Sequence, residues 1–249
     1  MPRGLSEYDS ARGQGRLWTP EILRPDAWFD ASDLSTITVA TGVSEWRDKS
    51  GNGRHMSQST ASYQPTLQIE KKNGLSCVRF EAVIGAGFKH SMNTSALVNV
   101  RSAFCVVYRE TTPNGVFNFI FSQAINNVSY QWASDYDDYL CLNVAETANW
   151  RNGSNYRNGS ATAIVSVDYK DVWSAFSFMC SGAMETSGIG QDRTLGYWGS
   201  QGSYGEVIWS TQALADADRL KIEGYLSHKW AIPLAAGHPF ANRPPLIGD

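Results

Sequence analysis

Short β-strand signals limit the fold of this chain more than any other feature of its sequence. Runs rich in Val, Ile, Phe, Tyr and Trp recur between clusters of Gly, Asn, Ser and Pro. This spacing is typical of an all-β sandwich. The predicted strands cover residues 78–80, 104–108, 116–121, 139–144, 164–167, 173–179 and 206–209.

One segment carries a clear helix signal. Between residues 215 and 230 the apolar residues Ile222, Tyr225, Leu226 and Trp230 recur at steps of three and four. This period predicts a helix with one apolar face, and Pro233 stops the pattern shortly afterwards. We therefore expect a single short helix near the C-terminus, packed on the sandwich.

A hairpin turn is predicted within the stretch RNGSNYRNGS, residues 151–160, which contains Asn-Gly twice. Asn-Gly supplies the positive φ angles that a type I′ turn requires. The repeated RNGS is too short to indicate an internal repeat, so turn chemistry used twice is the preferred interpretation.

Composition favours one large domain and excludes some partners. Hydrophobic residues make up 42% of the 249 residues and charged residues 18%. The formal net charge is -3 and no cluster of Lys or Arg stands out, so nucleic-acid binding is not expected. No apolar run reaches membrane-spanning length, and the first residues lack a signal-peptide core. We expect no membrane association and no export.

The four cysteines are predicted to be buried free thiols. Each lies within an apolar or alternating segment, and none shows the CxxC spacing of a metal site. The absence of a signal peptide also argues against disulfides. They are Cys77, Cys105, Cys141 and Cys180.

Two long motifs carry a resemblance to a known family. They are WRDKSGNG at residues 46–53 and EGYLSHKW at residues 223–230, the latter followed by His238 and Pro239. With LWTPEILRPDAWFDASD near the start, they resemble the concanavalin A-like lectin/glucanase (LamG-like jelly-roll) domains of bacteriophage virion proteins and bacterial surface proteins. The resemblance covers residues 17–245. It implies an all-β jelly-roll sandwich of two antiparallel sheets, with one short C-terminal helix.

The motif residues are interpreted as determinants of the fold. Asp48 and Asn52 suit Asx turns, and the adjacent glycines suit left-handed conformations. A cation or sugar site at Asp48 and Asn52 is the less favoured alternative. His228 and Lys229 are expected to face water, and His238 to anchor the tail. The residues assigned to the fold are Trp46, Asp48, Gly51, Asn52, Gly53, Tyr225, Trp230, His238 and Pro239.

The chain departs from the family at the start of the helix. The Leu-Ser that commonly precedes the acidic first turn is Leu214-Ala215 here, so the usual hydroxyl cap is missing. The helix is expected to start late or fray, and to depend on burial of Tyr225 and Trp230. Residues 1–16 are predicted to form a flexible arm for attachment. Residues 17–249 form the jelly-roll domain, which ends in an extended tail.

Catalysis is not predicted. A retaining glycosidase needs two carboxylates about 5 Å apart, which acids at alternate positions of a strand can provide. The sequence contains no such E-x-D-x-E triplet, and Asp135, Asp137 and Asp138 include no Glu. The chain is therefore expected to be no enzyme and to need no cofactor. Should Ca²⁺ bind, Asp135 and Asp137 are the first candidate ligands.

The best candidate for ligand binding is the central region where aromatic residues alternate with acids and amides. Aromatic faces beside such groups are the usual way to hold a sugar ring. Half or more of these aromatics are nevertheless expected to be ordinary core residues. The candidate residues are Trp132, Asp135, Tyr136, Asp137, Asp138, Trp150, Asn152 and Tyr156.

Three functions remain open at this point. The favoured one, implied by the resemblance, is a phage virion structural protein, either a tail-associated receptor-binding component or a capsid decoration. Its partners would be other virion proteins, through the N-terminal arm, and a host surface glycan. Whether the chain assembles as a homo-oligomer such as a trimer stays open at this point. A free carbohydrate-binding or adhesin module is the first alternative. A glycan hydrolase is the second.

Overall fold

Antiparallel strands dominate the structure, a computed structural model. It describes residues 15–83, 87–111, 119–123, 132, 140–141, 145–165, 168–191 and 199–249. Every pairing between strands in these residues is antiparallel. The strands are β1 (Ala27–Asp30), β2 (Ile37–Val39), β3 (Val43–Trp46), β4 (Met56–Ser57), β5 (Thr66–Lys72), β6 (Leu75–Phe80), β7 (Ala82–Val83), β8 (Gly87–Phe88), β9 (Met92–Arg109), β10 (Ser154–Arg157), β11 (Ser160–Ala161), β12 (Trp173–Ile189) and β13 (Gly202–Ser210).

Two long strands, β9 and β12, form the centre of the fold. They pair from Trp173 opposite Tyr108 to Ile189 opposite Met92. The C-terminal half of β9 also pairs with β13, whereas its N-terminal end pairs with β4. Because β9 pairs with β12, β13 and β4, these strands belong to one curled sheet. Along its main path the strand order is β11-β10-β12-β9-β13-β6-β5. The predicted all-β antiparallel sandwich with a C-terminal helix is confirmed.

Several predicted strands are longer than expected, and others are wrong. β12 continues past residue 179, where the predicted strand ends, because bulges after Met179 and Thr186 let the strand bend without ending. The strand predicted at 164–167 is wrong in its described half, since Ile164 and Val165 lie in a turn. Parts of the strands predicted at 116–121 and 139–144 lie outside the described residues.

The inner core lies inside the curled sheet. Aromatic side chains pack edge to face there, for example Phe29 against Trp46 and Trp209, with ring centroids 5.8 and 5.5 Å apart. Trp46 is fully buried, as its assignment to the fold predicts. The four cysteines are free and buried, as predicted. Burial raises the pKa of the Cys77, Cys141 and Cys180 thiols to about 12.

A second core lies between the outer face of the sheet and helix α2 (Asp216–Trp230). Ile222, Tyr225, Leu226 and Trp230 pack there against sheet residues that include Trp28, Phe104 and Ile208. The predicted helix is therefore confirmed. It begins at Asp216, directly after Ala215, so the expectation of a late start is wrong. As the missing hydroxyl predicts, the side chain of Ala215 forms no capping hydrogen bond to the first turn of the helix.

Both ends of the described chain run side by side. Leu17 forms a bridge with Leu246, and the amide of Ile247 donates to the carbonyl of Arg16 at 2.8 Å. The indole of Trp18 is 3% exposed in the second core. Arg16, placed in the arm by the sequence, thus takes part in the closure of the domain, while residues 1–14 lie outside the described residues.

Strand β13 contains a bulge at Gly205. Tyr204 and Val207 face the inner core, yet Glu206 lies under the helix, because the register of β13 against β9 shifts between Tyr204 and Glu206. A Cβ on Gly205 would lie 2.7 Å from the ring of Trp230. Glycine is therefore required where the helix approaches the strand most closely.

Candidate functional site

The EGYLSHKW motif and strand β1 meet at one buried carboxylate, that of Glu206. Its Oε1 accepts hydrogen bonds from the Trp28 indole at 2.7 Å and the Tyr225 hydroxyl at 3.0 Å. Its Oε2 accepts from Lys229 Nζ at 2.7 Å and the Trp230 indole at 2.9 Å. Four donors therefore satisfy a fully buried acid, as burial of a charge requires.

Lys229 extends this cluster to β1. Its Nζ lies 2.7 Å from Asp30 Oδ1, and its side chain is only 9% exposed. Lys49 of the first motif bridges Asp30 and Asp33 at 3.0 and 2.9 Å. The expectation that Lys229 faces water is wrong, because two buried carboxylates need its charge. His228 is half-buried, with Nε2 2.8 Å from the carbonyl of Phe240.

The pKa values of the two buried acids, Glu206 and Asp30, shift in opposite directions. Burial raises the pKa of Glu206, and the attraction of Lys229 only partly opposes that rise. For Asp30 burial also acts upward, but the attraction of Lys229 and Lys49 outweighs it and lowers the pKa to about 2. An acid with a strongly shifted pKa that lies in a cleft is a candidate catalytic residue. Glu206, however, is fully buried beneath the helix, so the cluster serves the fold.

In the WRDKSGNG loop the predicted Asx turn forms at Asp48, whereas Asn52 bonds a remote segment of the chain. Asp48 Oδ1 accepts from the amides of Ser50 and Trp28, and Oδ2 accepts from the amide of Arg54. Asn52 donates to the carbonyls of Pro25 and Asp26 at 3.1 and 3.2 Å. Gly51 and Gly53 have φ angles of 87° and 68°. These bonds occupy Asp48 in forming the turn and Asn52 in tying the loop to the segment before β1.

A second network of charged side chains joins the helix to the tail and, through the ring of Tyr156, to β10. Arg219 donates to both oxygens of Glu223, at 2.9 and 2.8 Å. Glu223 Oε2 lies 3.0 Å from His238 Nε2. The amide of Phe240 donates to His238 Nδ1, which places the ring proton on Nε2, facing Glu223. His238 thus anchors the tail, as predicted, while the neighbouring Pro239 is exposed.

The predicted hairpin is present at the second Asn-Gly of the 151–160 stretch. Asn158 and Gly159 have φ angles of 51° and 76°, as a type I′ turn requires, and join β10 to β11. The first Asn-Gly instead follows a short helix, α1 (Ala148–Arg151), which the sequence did not predict. That helix is one turn long, too short to show a period.

An open depression of about 370 Å³ lies beside this hairpin. Tyr156, Asn155 and Ala161 line it, together with Gly153, Ser154, Thr162 and Ala163. The guanidinium of Arg219 covers one face of the Tyr156 ring at 3.8 Å from its centroid. A ligand can therefore meet only the opposite face or the edge of this ring, which Arg219 holds in position.

Asn155 is the unusual member of this lining. It is 6% exposed, and its Nδ2 donates to the carbonyls of Trp150 and Gly153 at 3.0 and 3.2 Å. Its Oδ1 is buried without a hydrogen-bond partner. A buried acceptor left unpaired costs about 1–3 kcal/mol. The sequence places Asn155 in the region where aromatic residues alternate with acids and amides, but burial of its oxygen depends on the turn around it.

The structure separates the predicted binding residues into three groups. Trp132 and Trp150 are 1% and 0% exposed and pack with ring centroids 5.2 Å apart in the inner core, so their assignment to a ligand site is corrected. Tyr156 lines the depression and exposed Asn152 lies just before it. The remaining predicted residues lie outside the described residues: Asp135, Tyr136, Asp137 and Asp138.

A larger groove of about 720 Å³ lies where the chain ends meet. Arg16, Arg24 and Glu21 line it with the exposed side chains of Ile22 and Ile247. Its described lining holds no aromatic ring. The hairpin depression is therefore the better candidate for holding a sugar.

The described residues hold neither a metal centre nor a membrane-spanning helix. The described residues contain no group of three His, Cys, Asp or Glu that could hold a metal ion. None of the helices described is long and apolar enough to cross a membrane. No family model, curated protein or solved structure matches the chain. The resemblance to lectin-like jelly-roll domains thus rests on the sequence motifs alone.

Proposed function

We propose that this chain is a bacteriophage virion structural protein that displays a lectin-like domain and binds a host surface glycan at the hairpin depression. The resemblance of the two motifs supports the virion assignment, as a tail-associated receptor-binding protein or a capsid decoration. The partly exposed Tyr156 ring, which lines the depression with Ser154 two residues away on the same face of β10, supports glycan binding. Sugars combine an apolar ring face with hydroxyl groups, which an aromatic ring beside a polar side chain complements.

A glycan array tests the binding half of this proposal. We expect the full chain to bind a subset of bacterial surface glycans, and Tyr156→Ala to weaken that binding at least about tenfold through loss of ring contact. Tyr63→Ala is the matched control, because Tyr63 is 42% exposed and does not line the depression. Equal binding by both variants, or no glycan bound with or without Ca²⁺, would reject the site.

A further inference from the structure

We propose that the side chains of Lys229 and Asp30 condense to an amide, an isopeptide bond that the chain forms by itself, with Glu206 as the proton carrier. This inference goes beyond the proposed function and does not depend on it. Three observations carry it: the contact between the three side chains, their burial together, and the position of Lys49 at the second oxygen of Asp30.

Two strands and the helix hold the three side chains in contact. Asp30 of β1 lies directly opposite Glu206 of β13 in the antiparallel register, so both carboxylates lie on the same face of the sheet. Lys229 lies in the last turn of α2, and its Nζ is 2.7 Å from Asp30 Oδ1 and 2.7 Å from Glu206 Oε2. The amine nitrogen is therefore held beside the carboxyl group that it attacks.

Burial of the cluster favours condensation over hydrolysis. The side chains of Lys229, Asp30 and Glu206 are nearly fully buried, and Tyr225 and Trp230 donate hydrogen bonds to Glu206 from the helix side. Two charges that are taken out of water carry a desolvation penalty. An amide and a released water molecule carry no net charge, so the reaction removes this penalty. Exclusion of water also protects the amide that forms.

The reaction starts from the ion pair. Burial lowers the pKa of Lys229, but the attraction of Glu206 and Asp30 outweighs this effect, so the pKa is raised and the amine carries its proton. A base must therefore remove that proton. Burial raises the pKa of Glu206, which makes its carboxylate a stronger base than that of an exposed glutamate. Its Oε2 accepts the hydrogen bond from Nζ and lies on the path of the proton.

The bond changes balance without any further reagent. Nζ of Lys229 loses a proton to Glu206, and the electron pair that this frees attacks Cγ of Asp30. The electron pair of the C=O bond moves onto Oδ2, where Lys49 Nζ, 3.0 Å away, stabilises the negative charge. The nitrogen then loses a second proton, the Cγ–Oδ1 bond breaks as both protons reach Oδ1, and water leaves. One ammonium proton remains on the amide nitrogen, and Glu206 is regenerated as a carboxylate.

Intact-mass spectrometry tests this bond in the full chain, incubated at neutral pH and then unfolded under reducing conditions. We expect a mass lower than that of the sequence by one water molecule. Proteolysis should yield a branched peptide that joins the segments containing Asp30 and Lys229. Lys49 and Asp33, 2.9 Å apart, are the internal control and should stay unlinked, because Asp33 is 34% exposed. A mass equal to that of the sequence, or a water lost at any other pair, would overturn the proposal.

Two variants separate the cross-link from the fold. Lys229→Arg keeps the positive charge but offers no nucleophile at neutral pH, so its mass should equal that of its own sequence. Asp33→Asn is the matched control, because it leaves the three buried side chains in place and should lose one water as the wild type does. Loss of water in Lys229→Arg would contradict the assigned amine. The wild-type mass decides the question even where Lys229→Arg fails to fold.

Discussion

Lys229 shows how one side chain can connect distant parts of a sequence. Its Nζ lies 2.7 Å from both Asp30 and Glu206, carboxylates on different strands. Replacing a buried ion pair by apolar groups can be neutral, whereas removing one partner leaves a buried charge. The cluster therefore tolerates the loss of this lysine poorly, although the ammonium group contributes nothing to binding at the hairpin.

We predict that Lys229→Met destabilises the chain by about 3–5 kcal/mol at pH 7. Without Lys229, burial is less opposed, so the folded-state pKa values of Asp30 and Glu206 rise. Groups whose pKa is raised in the folded state contribute stability at low pH that is lost as pH increases. The deficit should therefore be smaller at pH 5 than at pH 7, as measured by urea denaturation.

Lys221→Met provides the control for this prediction. Lys221 lies on the same helix and is only partly buried. It should change the free energy of unfolding by no more than about 0.5 kcal/mol. An equal loss in the two variants, or a Lys229→Met deficit that does not shrink on acidification, would contradict the role assigned to Lys229.

Helix α2 holds its place through burial and not through a side-chain cap. Eight of its residues are buried, yet its first turn has no side-chain cap. The backbone at Ala215 is already extended, with φ -71° and ψ 157°, which is the conformation that a capping serine or aspartate adopts. The only missing part is the side-chain oxygen.

Ala215→Ser should therefore stabilise the chain by about 0.5–2 kcal/mol, because the hydroxyl can accept a hydrogen bond from a free amide of the first turn. Ala217→Ser is the matched control, since it adds the same group within the exposed first turn and should give no gain. Thermal unfolding measures both. An Ala215→Ser variant no more stable than wild type would show that these amides are already satisfied.

The sequence predicted elements well where one local rule, such as a helical period or a turn dipeptide, governs the whole segment. The 3.6-residue period of α2 and the type I′ turn at Asn158 and Gly159 are such cases. It failed where tertiary contacts decide. Lys229 looked solvent-exposed because its partners are remote in sequence, and Trp150 looked available to a ligand because only the folded core covers its ring.

At the scale of the whole molecule, the N-terminal and C-terminal segments of the domain pair with each other and close the fold. The Leu17–Leu246 bridge and the Arg16–Ile247 hydrogen bond bring them to one place. Trp18 then enters the second core beside Tyr225, with ring centroids 6.4 Å apart. Attachment through the predicted N-terminal arm would therefore hold the domain at this closure, and we expect the boundary between the arm and the domain to lie before Arg16.

Two truncations test this boundary. Deleting residues 1–14 retains Arg16 and Trp18, so we expect thermal stability close to that of the full chain but loss of incorporation into virus particles. Deleting residues 1–18 removes a buried tryptophan and should cost about 3–5 kcal/mol. Normal incorporation of the shorter deletion would reject the arm as the attachment segment, and equal stability of both deletions would reject the closure.

The bulge at Gly205 has a consequence for how the chain avoids misfolding. Side chains alternate between the faces of a strand, so a slip of one residue exchanges the faces completely. Without the bulge, Glu206 would share the face of Tyr204 and enter the inner core, far from the donors that now surround it. Misaligned sheets would carry an unpaired charge in an apolar interior. A single carboxylate thus penalises the compact traps nearest to the native state.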